Sequence, residues 1–339
     1  MHMSDALVSP AVGGVMLAAG AAAIGFSAKK LAGSGFDEKK VPLMGILGAF
    51  IFAGQMINFT IPGTGSSGHI GGGILLAAIL GPYGALITLA SVLIIQCLFF
   101  ADGGLLAYGA NVVNMGVFPC LFAYPLIFKP LAGNSWTKPK VTLASIVAVV
   151  AGLQLGALAV VLETLASRIT ELPFATFLLL MQPIHLAIGI GEGLVTAAVL
   201  CFVQAARPEL LESAASEQKI DPKLRLAKVL GVFAVLTLVV GGALSIFASA
   251  FPDGLEWSLE KAAGTAELEA ESAAHSAAGR AVEATAFLPD YGFKNADGDE
   301  SSNAGTSISG IAGSLITLVI VCGIGFLIHI IRRRRPASA

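Results

Sequence analysis

Long apolar runs separated by short polar or charged connections set the pattern of this chain. Eight of them have roughly the length that a helix needs to cross a bilayer: 11–27, 41–60, 84–100, 105–128, 141–165, 177–204, 229–250 and 308–331. A ninth, Ile70–Leu80, is too short to span alone. It follows a polar, Gly-rich stretch, Asn58–Gly73, that reads NFTIPGTGSSGHIGGG. Backbone of that kind is tolerated at membrane depth only where it is buried in protein or lines a cavity. The glycines beside its one histidine, His69, permit turns closed to other residues.

Charge decides how Ile70–Leu80 is counted. With nine crossings and the N-terminus outside, the cytoplasmic pieces are 28–40, 81–83, 129–140, 205–228 and the C-terminal tail. These hold nearly all the basic residues: Lys29, Lys30, Lys39, Lys40, Lys129, Lys138, Lys140, Arg207, Lys219, Lys223, Arg225, Lys228 and the run Arg332–Arg335. Outside lie only Arg168, Lys261, Arg280 and Lys294. A re-entrant Ile70–Leu80 would invert everything after it, against the preference of cytoplasmic loops for Lys and Arg. The pattern therefore predicts an all-α polytopic membrane protein with nine spans, N-out and C-in, which sets the N-terminus and the His69 loop on one side.

Composition agrees: 55% of residues are hydrophobic and 12% charged, about half the charge of a soluble domain. No basic patch with interleaved aromatics suggests nucleic acid. The four cysteines, Cys97, Cys120, Cys201 and Cys322, lie scattered in apolar runs without CxxC spacing and read as small buried side chains. Residues 1–10 contain Asp5 and no Lys or Arg, so a cleaved signal peptide is not expected. The bulky His2 predicts that Met1 is kept.

The pattern divides the chain. Residues 1–205 form a unit of seven spans, 206–228 a polar cytoplasmic linker with Pro208 and Pro222, and 229–331 a two-helix unit, with a basic tail at 332–339. Between its helices lies an extracytoplasmic segment, 251–307, with eleven acidic against three basic side chains. It reads either as a solvated loop or as a field that concentrates cations.

Candidate chemistry centres on two histidines. A free α-amine, the deprotonated amide nitrogen of residue 2 and Nδ1 of His2 can close fused five- and six-membered chelate rings. One imidazole from elsewhere, His69, completes four nitrogens in a plane, an arrangement suited to Ni(II) or Cu(II), with Co(II) also accommodated. Asn58 and Asp102 are candidates to orient a metal-bound imidazole. His185, in QPIHLAIGIGEG, reads either as a satisfied interhelical hydrogen bond or as a supporting group behind the site. His275 and His329 look isolated. No GK[ST] phosphate loop, HExxH or nucleophile elbow is present, so neither an ATPase nor a membrane enzyme is expected, and no organic cofactor is implied.

Four separated segments, MHMSDALVSP, GQMINFTIPGTGSSGHIGGG, ADGGLLAYGANVVNMG and HLAIGIGEG, resemble the substrate-binding membrane subunit (CbiM/NikM family) of energy-coupling-factor transporters for cobalt and nickel. The resemblance covers roughly residues 1–205. The part after about 229, with PDGLEWS at Pro252–Ser258, is similar to the two-helix N-type subunit of the same systems, here fused. Where many members read MHIPDG, this chain has Met3-Ser4-Asp5-Ala6. The resemblance implies a seven-helix core in the cell (inner) membrane and Co(2+) or Ni(2+) as transported substrate. It further implies ligation by the Met1 amine, the residue-2 amide, His2 and His69. As partners it implies a transmembrane coupling subunit and two cytoplasmic ATPases. A stand-alone secondary transporter or channel for divalent cations is the alternative; it would need polar groups through the whole bilayer, and inner-half polar side chains are sparse apart from Glu192.

Overall fold

The computed structural model describes residues 1–33, 37–133, 136–216, 226–266, 268–294 and 299–333. Lys219, Lys223, Arg225, Glu267, Asp297, Arg334 and Arg335 lie outside the described residues. Met1–Val8 run extended except for one 3-10 turn, Asp5–Leu7. Helices α1 (Pro10–Gly33) and α2 (Lys40–Gln55) follow, then a hairpin of β1 (Phe59–Ile61) and β2 (Ser66–Gly68), then α3 (Gly73–Leu80) and α4 (Pro82–Phe100). A single rod, α5 (Tyr108–Ala132), precedes the long α6 (Lys138–Ser167) and α7 (Phe174–Ala206). The short α8 (Pro208–Ala215) and the apolar α9 (Ala227–Gly242) lead to α10 (Gly254–Ala263), α11 (Ala273–Thr285) and α12 (Asp299–Arg333).

Six of these helices are long and apolar enough to cross a membrane, and α2 and α9 are shorter apolar helices. The protein is a multi-pass membrane protein, mostly helical. The small antiparallel hairpin, with Phe59 opposite Gly68 and Ile61 opposite Ser66, departs from the all-α expectation. Its polar Ser and Thr residues and glycines cannot continue α2 through the membrane, so the chain pairs its own backbone instead.

Burial ranks the helices by position. Every residue of α3, and α2 from Leu43 to Gln55, is buried, as helices apolar all round must be. Around them α6, α7 and α12 turn large apolar side chains outward, among them Leu143, Leu158, Leu179, Leu194, Leu315 and Val319, a surface suited to acyl chains. In α5 the backbone winds more widely over Val112–Phe128. Pro119 and Pro125 there remove two N–H donors and crowd the preceding turns, which opens the i→i+4 ladder.

The Gly-rich loop does not cross alone. It descends from the end of α2 to Gly72, whose N–H donates to Glu192 Oε1 midway along α7 at 2.8 Å. The eight residues of α3 follow, and they pack against α8. The segment expected to be a plain polar linker thus begins with an amphipathic helix, whose Leu210 and Leu211 are buried. The C-terminal part is laid against the core, α12 along α2 and α9, and α10 against α7.

Candidate metal centre

Each of the groups that meet at one end of the bundle is held by a different element. The N-terminal strand comes first. Met3 N–H donates to Asn111 Oδ1 at 2.7 Å, and Asn111 Nδ2 and Gly104 N–H both donate to the Met3 carbonyl at 3.0 Å. Asp5 accepts from Ala107 N–H at 2.9 Å. A side chain at position 104 would collide with Asp5, and Gly103 has φ +85°, so the glycines of ADGGLLAYGAN let the strand lie flat on this turn. His275 closes the other side: its Nε2–H donates to the carbonyls of Asp5 and Val8 at 3.1 and 3.0 Å. His275 is therefore not isolated. His329, near the other end, faces Glu38 at 3.2 Å.

So placed, the Met1 amine lies 2.8 Å from His69 Nε2 and donates to Asp253 Oδ2 at 2.5 Å. The His2 and His69 rings stack with centroids 5.0 Å apart. His69 Nδ1–H donates to the Ile70 carbonyl at 3.1 Å, which leaves the Nε2 lone pair turned to the amine. His2 Nε2–H donates to Gln96 Oε1 at 3.2 Å, so its other nitrogen, Nδ1, also carries a lone pair. That nitrogen faces Asp102 Oδ1 at 3.3 Å, and Asp102 is in turn held by the Tyr291 hydroxyl at 2.5 Å.

Electrostatics favours neutral imidazoles. Burial, and then the charge of the Met1 ammonium, lowers both His2 and His69 to about 3. Folded, these rings bind fewer protons than unfolded ones near 6.5, so stability from this cause holds above pH 6.5 and falls as pH drops towards 3. Burial works to raise the Asp253 carboxyl, but the ammonium and His69 override it and hold it below the usual range. Burial raises Asp102. Two lone-pair nitrogens, an amine and a carboxylate therefore converge at neutral pH. Among the described residues no three His, Cys, Asp or Glu side chains are grouped so as to hold a metal by themselves.

Of the residues singled out from the sequence, Met1, His2, His69 and Asp102 come together. Asn58 lines the same vestibule, and its carbonyl accepts from Ser249 N–H at 2.8 Å. No hydrogen bond among the described residues links its side chain to either imidazole. His185 lies on the inner side, bonded through Nδ1–H to the Met181 carbonyl of its own helix at 2.8 Å. Two residues were missed. Gln96 is a buried amide within the apolar run of α4. Asp253 comes from the far end of the sequence: it caps α10 in a capping box with Glu256. Ser67 N–H and hydroxyl bond the Pro252 and Phe251 carbonyls at 2.8 and 2.7 Å, and the Trp257 indole donates to Thr64 O at 3.0 Å. These bonds seat the turn before α10 on the β hairpin. The D-x-x-E spacing of PDGLE was the available signal.

Residues 2–210 match the CbiM family, described as the cobalt uptake substrate-specific transmembrane region, and 227–330 match the PDGLE domain. A putative fused nickel transport protein of Archaeoglobus fulgidus is 33% identical over 94% of this chain and 96% of its own. A fused nickel transport protein of Rhodobacter capsulatus is 30% identical over 70% and 71%. A crystal structure of a transition metal transporter covers 62% of this chain and 95% of its own, at 33% identity and a TM-score of 0.54.

Proposed function

Since the chain belongs to the CbiM family of cobalt-uptake substrate-specific transmembrane proteins, joined to a PDGLE domain, we propose that it captures divalent nickel or cobalt outside the cell membrane. It acts as the substrate-binding component of an energy-coupling-factor importer. The observation that carries this is the convergence of the Met1 amine, His2 and His69, with both imidazoles neutral and their Nδ1 and Nε2 lone pairs available. The ion takes the α-amine, the residue-2 amide nitrogen, His2 Nδ1 and His69 Nε2. Two nitrogens at right angles about 2.0 Å from a metal stand about as far apart as the amine and His69 do. The relatives named as nickel and cobalt transport proteins support the choice of ion.

Charge bookkeeping supports a role for Asp253. Without metal its negative charge is matched by the buried ammonium. With metal, a divalent ion on one deprotonated amide leaves a single positive charge, which Asp253 matches again. Occupancy then leaves no uncompensated charge in a place where one would be costly. The fused domain thus supplies the counter-charge to a site whose nitrogens come from the N-terminal strand and the His69 loop.

Nothing in this reading gives the chain an energy source. Partners supply it: a transmembrane coupling subunit and two cytoplasmic ATPases. The reading requires the N-terminus outside and the C-terminus inside. In a cysteine-free background, Thr64→Cys is expected to react with an impermeant maleimide from outside intact cells, and Leu131→Cys only after the membrane is opened. Outside labelling at position 131 would overturn the orientation.

A further inference from the structure

Directly inward of the Met1–His69 pair lies a cavity of about 30 Å³, lined by Met1, His69, Asn114, His185, Glu192 and Asp253 with apolar neighbours. This is room for about two waters. Its polar lining is one-sided. His185 spends its N–H on its own helix, and its Nε2 has no partner although the residue is 1% exposed. Asn114 spends its NH2 on Glu163 Oε2 at 2.8 Å, and its Oδ1 has no partner at 1% exposure. Glu192, also buried, gives one carboxylate oxygen to Gly72 N–H. His185 Nε2 and Asn114 Oδ1 thus offer lone pairs without a donor, and Glu192 adds a carboxyl group already bonded to Gly72 N–H.

Buried acceptors without donors are costly, and two of them beside a buried carboxyl group around one small cavity call for something positive or proton-donating. His185 repeats the arrangement of His69: Nδ1–H fixed on a backbone carbonyl and the Nε2 lone pair presented, the form in which histidine binds metals. Seven residues separate His185 from Glu192, about two helical turns, so both side chains leave the same face of α7. The Met1 side chain, whose Cε lies 3.0 Å from where a Cβ on Gly156 would fall, lines this space beside the outer nitrogens.

We propose that this cavity is a second, inner position for the transported divalent cation, served by His185 Nε2, Asn114 Oδ1 and the Glu192 carboxylate. The ion reaches it when the Met1 strand releases it. It is too small for a hydrated ion, so the three groups replace water as the ion moves inward. With only two ionisable donors and one amide, it binds more weakly than the outer site, as a position that must release its ion should.

The inference rests on the outer site being the point of capture, and the test separates the two. The full chain lengthened by one residue ahead of Met1 loses the terminal chelate while keeping His185, Asn114 and Glu192. Crystals of that protein soaked in nickel chloride are expected to show an anomalous peak in the cavity. His185→Phe and Glu192→Gln, each added to the lengthened chain, are expected to remove it, and the first tests the imidazole without altering buried charge. Density for water only at this place, or a peak that persists in both variants, would overturn the inner position. A peak still centred between position 1 and His69 would instead mark failure of the outer assignment.

Discussion

Lengthening the chain by one residue ahead of Met1 is expected to weaken nickel or cobalt binding by roughly 100-fold or more, given that loss of groups merely supporting a ligand costs 10–100-fold. The extension leaves the side chains of His2, His69, Asp102 and Asp253 in place. It moves only the amine, now 2.8 Å from His69 Nε2, and converts it into an ordinary amide. A site made from imidazoles and carboxylates would survive that change; a chelate that begins at the terminus would not. His69→Ala should cost as much, since it removes the fourth nitrogen. Calorimetric titration at one fixed pH is the measurement, because ligand deprotonation makes affinity depend on pH. A folded, lengthened protein with unchanged affinity would reject the terminal chelate.

The second large effect comes from a residue that touches no metal. A Cβ on Gly68 would fall 2.6–2.9 Å from three carbons of Ile188, and one on Gly254 would fall 2.7 Å from the same side chain. Ile188 is thus wedged between the strand that carries His69 and the turn that carries Asp253, and its branched Cβ leaves it little room to rotate. Gly68→Ala is therefore expected to cost about 1–3 kcal/mol in stability through overpacking. It should also lower metal affinity about 10- to 100-fold, because the next residue is the proposed ligand His69. Adding Ile188→Ala should recover a large part of both losses, since the two sites are in contact and should couple. Thermal melting in detergent and metal titration read the two quantities. Wild-type affinity in the single variant, or no recovery in the double, would contradict this packing account.

Much of the arrangement is legible before any coordinates. The distribution of Lys and Arg assigns the N-terminus and the His69 loop to one end, and the chelate rings open to an amine, an amide and His2 single out residues that the fold brings together with His69. What escapes is decided by distance along the chain. Asp253 meets Met1 across 252 residues, and in sequence it is one of eleven acids in a segment that reads equally well as solvated loop. Only its place in the D-x-x-E capping box sets it apart. His275 escapes for the same reason, since its partners are two backbone carbonyls with no sequence signature. The hairpin is hidden because three-residue strands of Phe, Thr, Ile, Ser and Gly show no alternation. The span expected at 41–60 stops at Gln55, whose side-chain amide donates to the Gly71 carbonyl at 2.9 Å. The vestibule outside the site, about 730 Å³ and lined by Asp102, Asp253, Glu256, Glu269 and Asp290, gives part of the acidic segment a position beside the histidines.

The coordination of the bound ion bears most directly on the central claim. X-ray absorption at the nickel edge of the purified, nickel-loaded chain should report four nitrogen neighbours in a plane, with the outer-shell scattering of two imidazole rings. The His69→Ala protein, loaded at the same nickel concentration, should have lost one ring and the planar signature. Six oxygen-rich neighbours, a tetrahedral ion, or a spectrum indifferent to His69 would contradict capture by the Met1 amine, the residue-2 amide, His2 and His69.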